Sequence, residues 1–124
     1  MSHPSVFPTM RYADPVAAIE FLVAAFGAER HVVYEEGGVI RHAELRFGNG
    51  IVMLGGVAPG EEPYGGDIYI VVDDVDTHAE RARAAGAEIV REPADTDYGS
   101  RECAAKDLEQ RTWYFGTYQP FDAV

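Results

Sequence analysis

Apolar and polar residues follow a helical period in two segments of the chain, residues 14–27 and residues 73–86. Each segment begins with aspartate, a favoured helix N-cap, and ends at glycine, which suits the left-handed turn that closes many helices. In the first segment Pro15 stands where the first helical turn tolerates proline, and a broad apolar face is formed by Val16, Ile19, Phe21, Leu22 and Phe26. The pattern therefore predicts two helices, each with one buried face.

Outside the helices the apolar period falls to two, as in half-buried strands. Residues 39–47 are the clearest case, with His42, Glu44 and Arg46 on one face and apolar side chains on the other. An Asn-Gly dipeptide at residues 49–50 then predicts a tight hairpin. The predicted strands cover residues 5–12, 29–36, 39–47 and 51–54 in the first half, and residues 67–72, 88–92, 101–106 and 111–117 in the second.

The two halves of the chain repeat one plan of a strand, a helix and three strands. Both helical segments continue into Gly-Ala-Glu, at residues 27–29 and residues 86–88, and a Gly- and Pro-rich linker at residues 55–66 separates the halves. The sequence therefore predicts an α+β fold in one domain, residues 1–124, with βαβββ modules at residues 5–55 and 67–118. One helix per module covers only one sheet face, so we expect a curved mixed sheet around a cleft, with the helices on its convex face.

The composition limits the partners that such a cleft can serve. Of 124 residues, 21 are acidic and 10 are Lys or Arg, which gives a formal net charge of −11. That balance argues against nucleic acid and anionic membrane surfaces, and it is compatible with a cationic small ligand or with solubility alone. No apolar run approaches the ~20 residues of a membrane span, and no signal peptide is indicated. Together with a single cysteine, Cys103, these features predict a cytoplasmic protein.

The tandem βαβββ plan resembles the vicinal oxygen chelate superfamily, which includes glyoxalase I, bleomycin-resistance proteins, extradiol dioxygenases and methylmalonyl-CoA epimerase. The most specific pieces are DDVD at residues 73–76, AAGAE at residues 84–88, and a closing hairpin with YGSR at residues 98–101 and WYFG at residues 113–116. The family's Asp-Pro-x-Gly turn is here DLEQ, from Asp107 onward, which is a local departure. The resemblance covers nearly the whole chain and implies the family's fold.

The resemblance also implies where a metal would bind. The metalloenzymes of the family hold one divalent ion through His or Glu on the first and last strands of each module, and those positions match Phe7, Met53, Asp67 and Tyr114 here. Phenylalanine has no ligand atom, and a thioether is a poor partner for a hard metal. Only Asp67 is an ordinary ligand, so we expect no metal and no other cofactor.

The remaining candidates are polar and aromatic residues of the strands. His42, Glu44 and Arg46 either project into the cleft or form a solvated strand face. In the last strand we assign Trp113 and Phe115 to the core and Tyr114 to the cleft, because they alternate. His78 lies among charged residues of the second helix and is expected to face solvent.

The function that the resemblance implies is metal-free binding of a small, possibly cationic aromatic molecule, of the bleomycin-resistance type. Phe7, Met53, Tyr69 and Tyr114 would form the walls, Asp67 and Glu44 would supply negative charge, and Tyr98 and Arg101 the rim. The predicted ligand-binding residues are Phe7, His42, Glu44, Met53, Asp67, Tyr69, Tyr98, Arg101 and Tyr114.

Two alternatives remain open. The first is a glyoxalase-like lyase or isomerase that recruits a metal through other residues or uses Glu44 or His42 as a general base. The second is a plain structural or interaction module that binds no small ligand. The family usually forms two-fold dimers, and exposed strand edges favour pairing, so a homodimer is expected.

Overall fold

The computed structural model describes residues 3–122, in which helices and strands follow the repeated plan. In chain order the elements are β1 (Thr9–Tyr12), α1 (Pro15–Phe26), β2 (Glu29–Glu36), β3 (Val39–Phe47), β4 (Gly50–Gly56), β5 (Ile68–Val71), α2 (Val75–Ala84), β6 (Glu88–Asp95), β7 (Arg101–Lys106), β8 (Thr112–Gly116) and a short 3-10 turn (Pro120–Asp122). No helix within residues 3–122 combines the length and the apolar character needed to cross a membrane.

Two strand boundaries differ from the prediction by more than two residues, and both lie at a proline. The first strand begins at Thr9 rather than at residue 5, directly after Pro8, which has no amide hydrogen to give to a ladder. Strand β6 continues to Asp95 and includes Pro93, although residues 88–92 were predicted. It is an edge strand with register shifts against β7, and such positions tolerate proline.

The eight strands form two four-stranded sheets, which we call the N-terminal and the C-terminal sheet. Their orders are β1-β4-β3-β2 and β5-β8-β7-β6, so the second sheet repeats the first. The first strand of each runs parallel to the last, and the other pairs are antiparallel. The predicted α+β class with tandem βαβββ units is confirmed, with the curved surface divided between two sheets.

Both helices begin as the sequence indicates. The Asp14 and Asp74 side chains cap α1 and α2 by accepting hydrogen bonds from the backbone amides of Ala17 and Thr77, at 3.1 and 3.0 Å. The helices also lie against each other: Arg81 of α2 donates to backbone carbonyls at the end of α1, including that of Ala24 at 3.1 Å. The helices therefore form one layer that joins the two modules.

The modules share a single apolar core. Phe26, at the end of α1, contacts Trp113 and Phe115 of β8, with ring centroids 5.5 and 5.0 Å apart. Trp113 and Phe115 are buried and Tyr114 is half-buried, as predicted from their alternation. His78 was expected to face solvent, and this was wrong: its ring lies 4.2 Å from that of Phe115, and its Nε2 lies 3.2 Å from the Phe26 carbonyl oxygen.

The turn between β7 and β8 connects the C-terminal module to β1 through hydrogen bonds. The Asp107 carboxylate is buried and accepts hydrogen bonds from the Tyr12 hydroxyl at 2.7 Å and the Trp113 indole at 3.0 Å. Two residues later, the Glu109 carboxylate accepts from the backbone amides of Ala13 and Asp14, just before α1. Glu109, at the variable third position of this turn, thus supplies an acidic contact at the start of the first helix.

Candidate functional site

The helices cover one face of each sheet, and the opposite faces, which we call the helix-free faces, carry most of the predicted site. On the N-terminal sheet, alternation buries Met10, Leu54 and Ala43 against the helices. It places Thr9, Met53 and Glu44 on the helix-free face, where the strand register sets Thr9 beside Met53 and Met53 beside Glu44. His42, Glu44 and Arg46 lie on this face, as the period of two predicted.

His42 and Glu44 form a hydrogen-bonded pair on this face. The His42 Nε2 lies 2.8 Å from a Glu44 carboxylate oxygen, and both side chains are half-buried. The ring of Tyr34 on β2 stacks against the imidazole with centroids 5.9 Å apart. A carboxylate that holds an imidazole in one orientation is a suitable arrangement for proton transfer, and it also presents negative charge to a ligand.

On the C-terminal sheet, an aromatic row crosses the helix-free face. Tyr69 on β5 lies beside Tyr114 on β8, which lies beside Ala104 on β7 and then Arg91 on β6. The small Ala104 side chain is buried beneath this row, and the Arg91 guanidinium approaches the Tyr114 ring to 5.9 Å. This row presents a half-exposed surface on which a flat ring can stack.

Next to the row lies a group of three tyrosines, Tyr69, Tyr98 and Tyr118, which we call the tyrosine cluster. The Tyr69 hydroxyl donates to the Tyr118 carbonyl oxygen at 2.8 Å, and the rings of Tyr98 and Tyr118 meet edge to face at 6.1 Å. The Tyr98 hydroxyl donates to the Glu102 carboxylate at 2.9 Å, and this hydrogen bond raises the pKa of Tyr98. The cluster therefore places the Tyr98 hydroxyl in direct contact with one half-buried carboxylate, that of Glu102.

Gly116 makes the close approach inside this cluster possible. A β-carbon at residue 116 would lie 2.6 Å from the Tyr69 hydroxyl oxygen and 2.7 Å from Cγ of Glu102, and real β-carbons do not come so close to other atoms. The glycine that ends the WYFG sequence thus allows Tyr69 and Glu102 to meet over β8. Desolvation raises the pKa of Tyr69, which keeps its hydroxyl a donor.

Arg101, which we predicted at the rim of the site, lies on the other face of β7. Its guanidinium donates to Asp76 of α2 at 2.7 and 2.9 Å and to Asp95 of β6 at 3.1 Å. These carboxylates hold the guanidinium toward the helix layer, and the side chain at residue 102 takes the helix-free face instead. The placement of Arg101 at the rim of a cleft is therefore corrected to an ion pair between β7, α2 and β6.

Phe7 and Asp67 lie outside the regular strands. Phe7 precedes β1 and lines a cavity of about 440 Å³ with Arg46. Asp67 immediately precedes β5, is exposed, and makes no ion pair among the described residues. The Arg11 guanidinium does not neutralise Asp67, because it lies over Gly55 of the N-terminal sheet.

The residues at the family's metal positions do not fit a metal ion. The four matched positions, Phe7, Met53, Asp67 and Tyr114, supply a phenyl ring, a thioether, one exposed carboxylate and a phenol where His or Glu would be required. Their neighbours in the sheets add no better ligands, since Met53 lies beside Thr9 and Tyr114 beside Tyr69. Within residues 3–122 no group of three or more His, Cys, Asp or Glu side chains is arranged to hold a metal. These four side chains therefore form no ligand set for a divalent ion.

Three site residues were missed by the sequence argument: Glu102, Tyr118 and Arg91. Glu102 could have been predicted from the alternation along β7. Cys103 and Ala105 are core residues, so residue 102 must lie on the helix-free face. Tyr118 lies beyond the last strand, and its place depends on a hydrogen bond from its amide to the Ser100 hydroxyl at 3.1 Å. Local pattern carries no signal for such a contact.

Comparisons with known proteins agree on the fold and the family. A model of the Glyoxalase/Bleomycin resistance protein/Dioxygenase superfamily matches residues 6–115. The chain is 33% identical to uncharacterized protein Mb0911c of Mycobacterium bovis, over 91% of this chain and 82% of that one. It is similar to the crystal structure of TioX from Micromonospora sp. ML1, with 36% identity, a TM-score of 0.77, and coverage of 93% of this chain and 94% of that chain.

A more distant structure shows the fold alone. Glyoxalase I from Zea mays is 21% identical, with a TM-score of 0.72, over 90% of this chain and 43% of that chain. With the family match over most of its length, the repeated βαβββ units and the paired helix-free faces, the chain belongs to the Glyoxalase/Bleomycin resistance protein/Dioxygenase superfamily.

Proposed function

We propose that the protein binds a small cationic aromatic molecule on its helix-free faces, without a resident metal. The observation that carries this proposal is the tyrosine cluster around Glu102. Aromatic rings next to a partly desolvated carboxylate favour a cation, since cation–π contacts and a charge-assisted hydrogen bond act on the same group. The His42–Glu44 pair and Asp67 add negative charge, and Tyr114 and Met53 offer apolar surface.

The charge of the whole chain supports the same ligand class. A formal net charge of −11 draws cations toward the protein and repels anions, at a range set by the ionic strength. Affinity itself must come from local contacts, because exposed charges in water contribute little.

We also propose that two copies of the chain complete each site. His42 and Met53 line one cavity of about 150 Å³, Phe7 lines a second, and Tyr69 a third of about 310 Å³. One chain therefore spreads the predicted residues over separate surfaces, and a partner that faces them would enclose a ligand. Light scattering at micromolar concentration should give about twice the mass of one chain, and a single-chain mass would contradict the dimer.

Elemental analysis tests the metal part of the proposal. Protein purified without chelator should hold well under one equivalent of Zn, Ni, Mn or Fe, since the family's positions lack His and Glu. About one tightly held metal per chain would overturn a metal-free site.

Binding by charge-matched variants tests the position of the ligand's charge. Glu102→Gln, Asp67→Asn and Glu20→Gln each remove one negative charge with little change in shape, and Glu20 is exposed on α1. With N-methylphenanthridinium as probe, we expect Glu102→Gln to weaken binding about tenfold, equivalent to ~1.4 kcal/mol. Asp67→Asn should weaken it about threefold, because Asp67 is more exposed. Equal losses in all three variants would mean that only the overall field attracts the probe.

The His42–Glu44 pair favours a second candidate, an enzyme that abstracts a proton next to a carbonyl. With Glu44 or His42 as base, the protein should catalyse exchange of such a proton for deuterium, which can be followed by NMR with dihydroxyacetone in D₂O. Glu44→Gln and His42→Gln should each abolish the exchange. No exchange above the buffer rate in the wild type would remove this candidate.

A further inference from the structure

The linker between the modules borders an open cavity that lies outside the tyrosine cluster. At about 540 Å³ it is the largest of the cavities described, and it lies between the linker, β1 and β3. Its walls include the aliphatic side chains of Val39 and Val57, the ring of Tyr64, and two arginines, Arg11 and Arg41. A cavity of this volume is within the range of small-molecule sites, and we call it the linker pocket.

Hydrogen bonds hold the walls of the linker pocket in place. Arg11 and Tyr64 pair as in a two-stranded sheet, with the Arg11 amide donating at 2.7 Å and the Tyr64 amide at 3.0 Å. Within the linker, the Ala58 amide donates a hydrogen bond to the Glu61 carboxylate at 2.9 Å, and the Glu61 amide donates to the Ala58 carbonyl at 2.9 Å. These two hydrogen bonds close a turn. The Gly- and Pro-rich linker thus adds a wall to the N-terminal sheet.

Arg11 is positioned to meet an anion from this pocket. Its neighbours in β1, Met10 and Tyr12, are buried, so its own side chain emerges on the helix-free face. A β-carbon at Gly55 would lie only 2.5 Å from Nη1 of Arg11, which means that glycine lets the guanidinium lie close above β4. Within residues 3–122 the Arg11 guanidinium makes no ion pair, whereas those of Arg83 and Arg101 are paired with carboxylates.

Arg41 adds a second guanidinium that can turn to a ligand. Its one ion pair among the described residues is with Glu36 at 3.6 Å, where the two side chains are 63% and 78% exposed. Ion pairs that are so exposed contribute little, so an anion in the pocket competes easily with Glu36.

We propose that the linker pocket binds a small organic acid, with its carboxylate at Arg11 and Arg41 and its apolar body against Val39, Val57 and Tyr64. Guanidinium groups match a carboxylate in a two-point hydrogen bond, and the aliphatic walls favour a carbon body over a bare ion. Glu61 also lines the pocket, and its charge disfavours a doubly charged phosphate ester. The site is separate from the tyrosine cluster and takes a ligand of the opposite charge.

Titration with benzoate tests this inference, with benzamide as its uncharged counterpart and inorganic phosphate as a bare anion. We expect saturable binding of benzoate to the wild type, at least tenfold weaker binding of benzamide, and weaker binding of phosphate. Arg11→Gln and Arg41→Gln should each weaken benzoate about tenfold. Arg30→Gln, which removes the same charge from the exposed edge strand β2 outside the pocket, should leave affinity within about twofold.

The inference is overturned by absent benzoate binding, by equal affinity for benzamide, by phosphate binding more tightly than benzoate, or by equal losses in Arg30→Gln and Arg11→Gln. A melting curve of each variant establishes that it is folded, and if Arg11→Gln is not, Arg41→Gln decides. Amide chemical shifts that move at Val57 and Tyr64 would locate the benzoate at the linker.

Discussion

Asp107→Asn is the substitution that we expect to weaken the fold most for the smallest change in shape. Asp107 is 4% exposed and accepts four hydrogen bonds. Two come from the side chains of Tyr12 and Trp113, at 2.7 and 3.0 Å, and two from the backbone amides of Glu109 and Arg111, at 2.9 and 3.1 Å. Asparagine keeps one oxygen and replaces the other by an amino group that can only donate.

The magnitude follows from the donors that asparagine cannot satisfy. The Tyr12 hydroxyl can rotate and accept a hydrogen bond, but the Trp113 indole N–H can only donate and is left without a partner. An unsatisfied buried donor costs about 1–3 kcal/mol, and the lost hydrogen bonds to a charged acceptor add about as much. We therefore expect the free energy of unfolding to fall by about 2–4 kcal/mol, and the melting temperature by on the order of 10 °C.

Urea denaturation followed by Trp113 fluorescence measures this loss. Asp97→Asn is the matched control, because Asp97 is exposed on a loop, and it should change the free energy of unfolding by less than about 0.5 kcal/mol. Tyr12→Phe, which removes one donor and leaves the carboxylate, should cost about 1 kcal/mol. A loss below about 1 kcal/mol for Asp107→Asn, or one equal to that of Asp97→Asn, would refute the reasoning.

Two further predictions concern local conformation and pH. Gln110 is exposed and has a positive φ of 68°, a backbone conformation that glycine adopts without strain. Gln110→Gly should therefore raise the free energy of unfolding by about 0.5–1 kcal/mol, measured by thermal denaturation. A decrease would mean that the Gln110 side chain is needed. Burial lowers the pKa of His78, as does the charge of the nearby Arg81, and a hydrogen bond to the Phe26 carbonyl opposes them. The unfolded chain therefore binds a proton more readily than the folded chain. The free energy of unfolding should fall as the pH drops below about 6.5. The melting temperature of His78→Gln should fall less steeply over this range than that of the wild type, and parallel curves would contradict the assignment.

The sequence predicts the faces of the strands better than their contacts. A period of two is a property of the backbone, so His42 and Glu44 on one face, and Trp113 and Phe115 on the other, could be assigned without a structure. Arg101 was misplaced because a charged residue was taken to belong to the rim, although it stands two residues before the core residue Cys103 and therefore shares its face of β7.

Contacts between distant residues account for what the sequence could not predict. The linker pocket depends on the pairing of Tyr64 with Arg11, and the tyrosine cluster depends on the Tyr69 hydroxyl reaching the Tyr118 carbonyl. His78 was misassigned for the same reason, since its partners Phe26 and Phe115 lie in other elements. Each of these contacts joins residues that are far apart in the sequence or lie in different elements, and local patterns do not encode such contacts.

Isothermal titration of the wild type with two closely related probes tests the central claim most directly. N-methylphenanthridinium and phenanthridine share one ring system, and at mildly alkaline pH they differ by one methyl group and one positive charge. If the helix-free faces select a cationic aromatic molecule, the cation should bind about tenfold or more tightly, with a preference that shrinks as salt is added. Equal affinities, or tighter binding of phenanthridine, would contradict the proposed function.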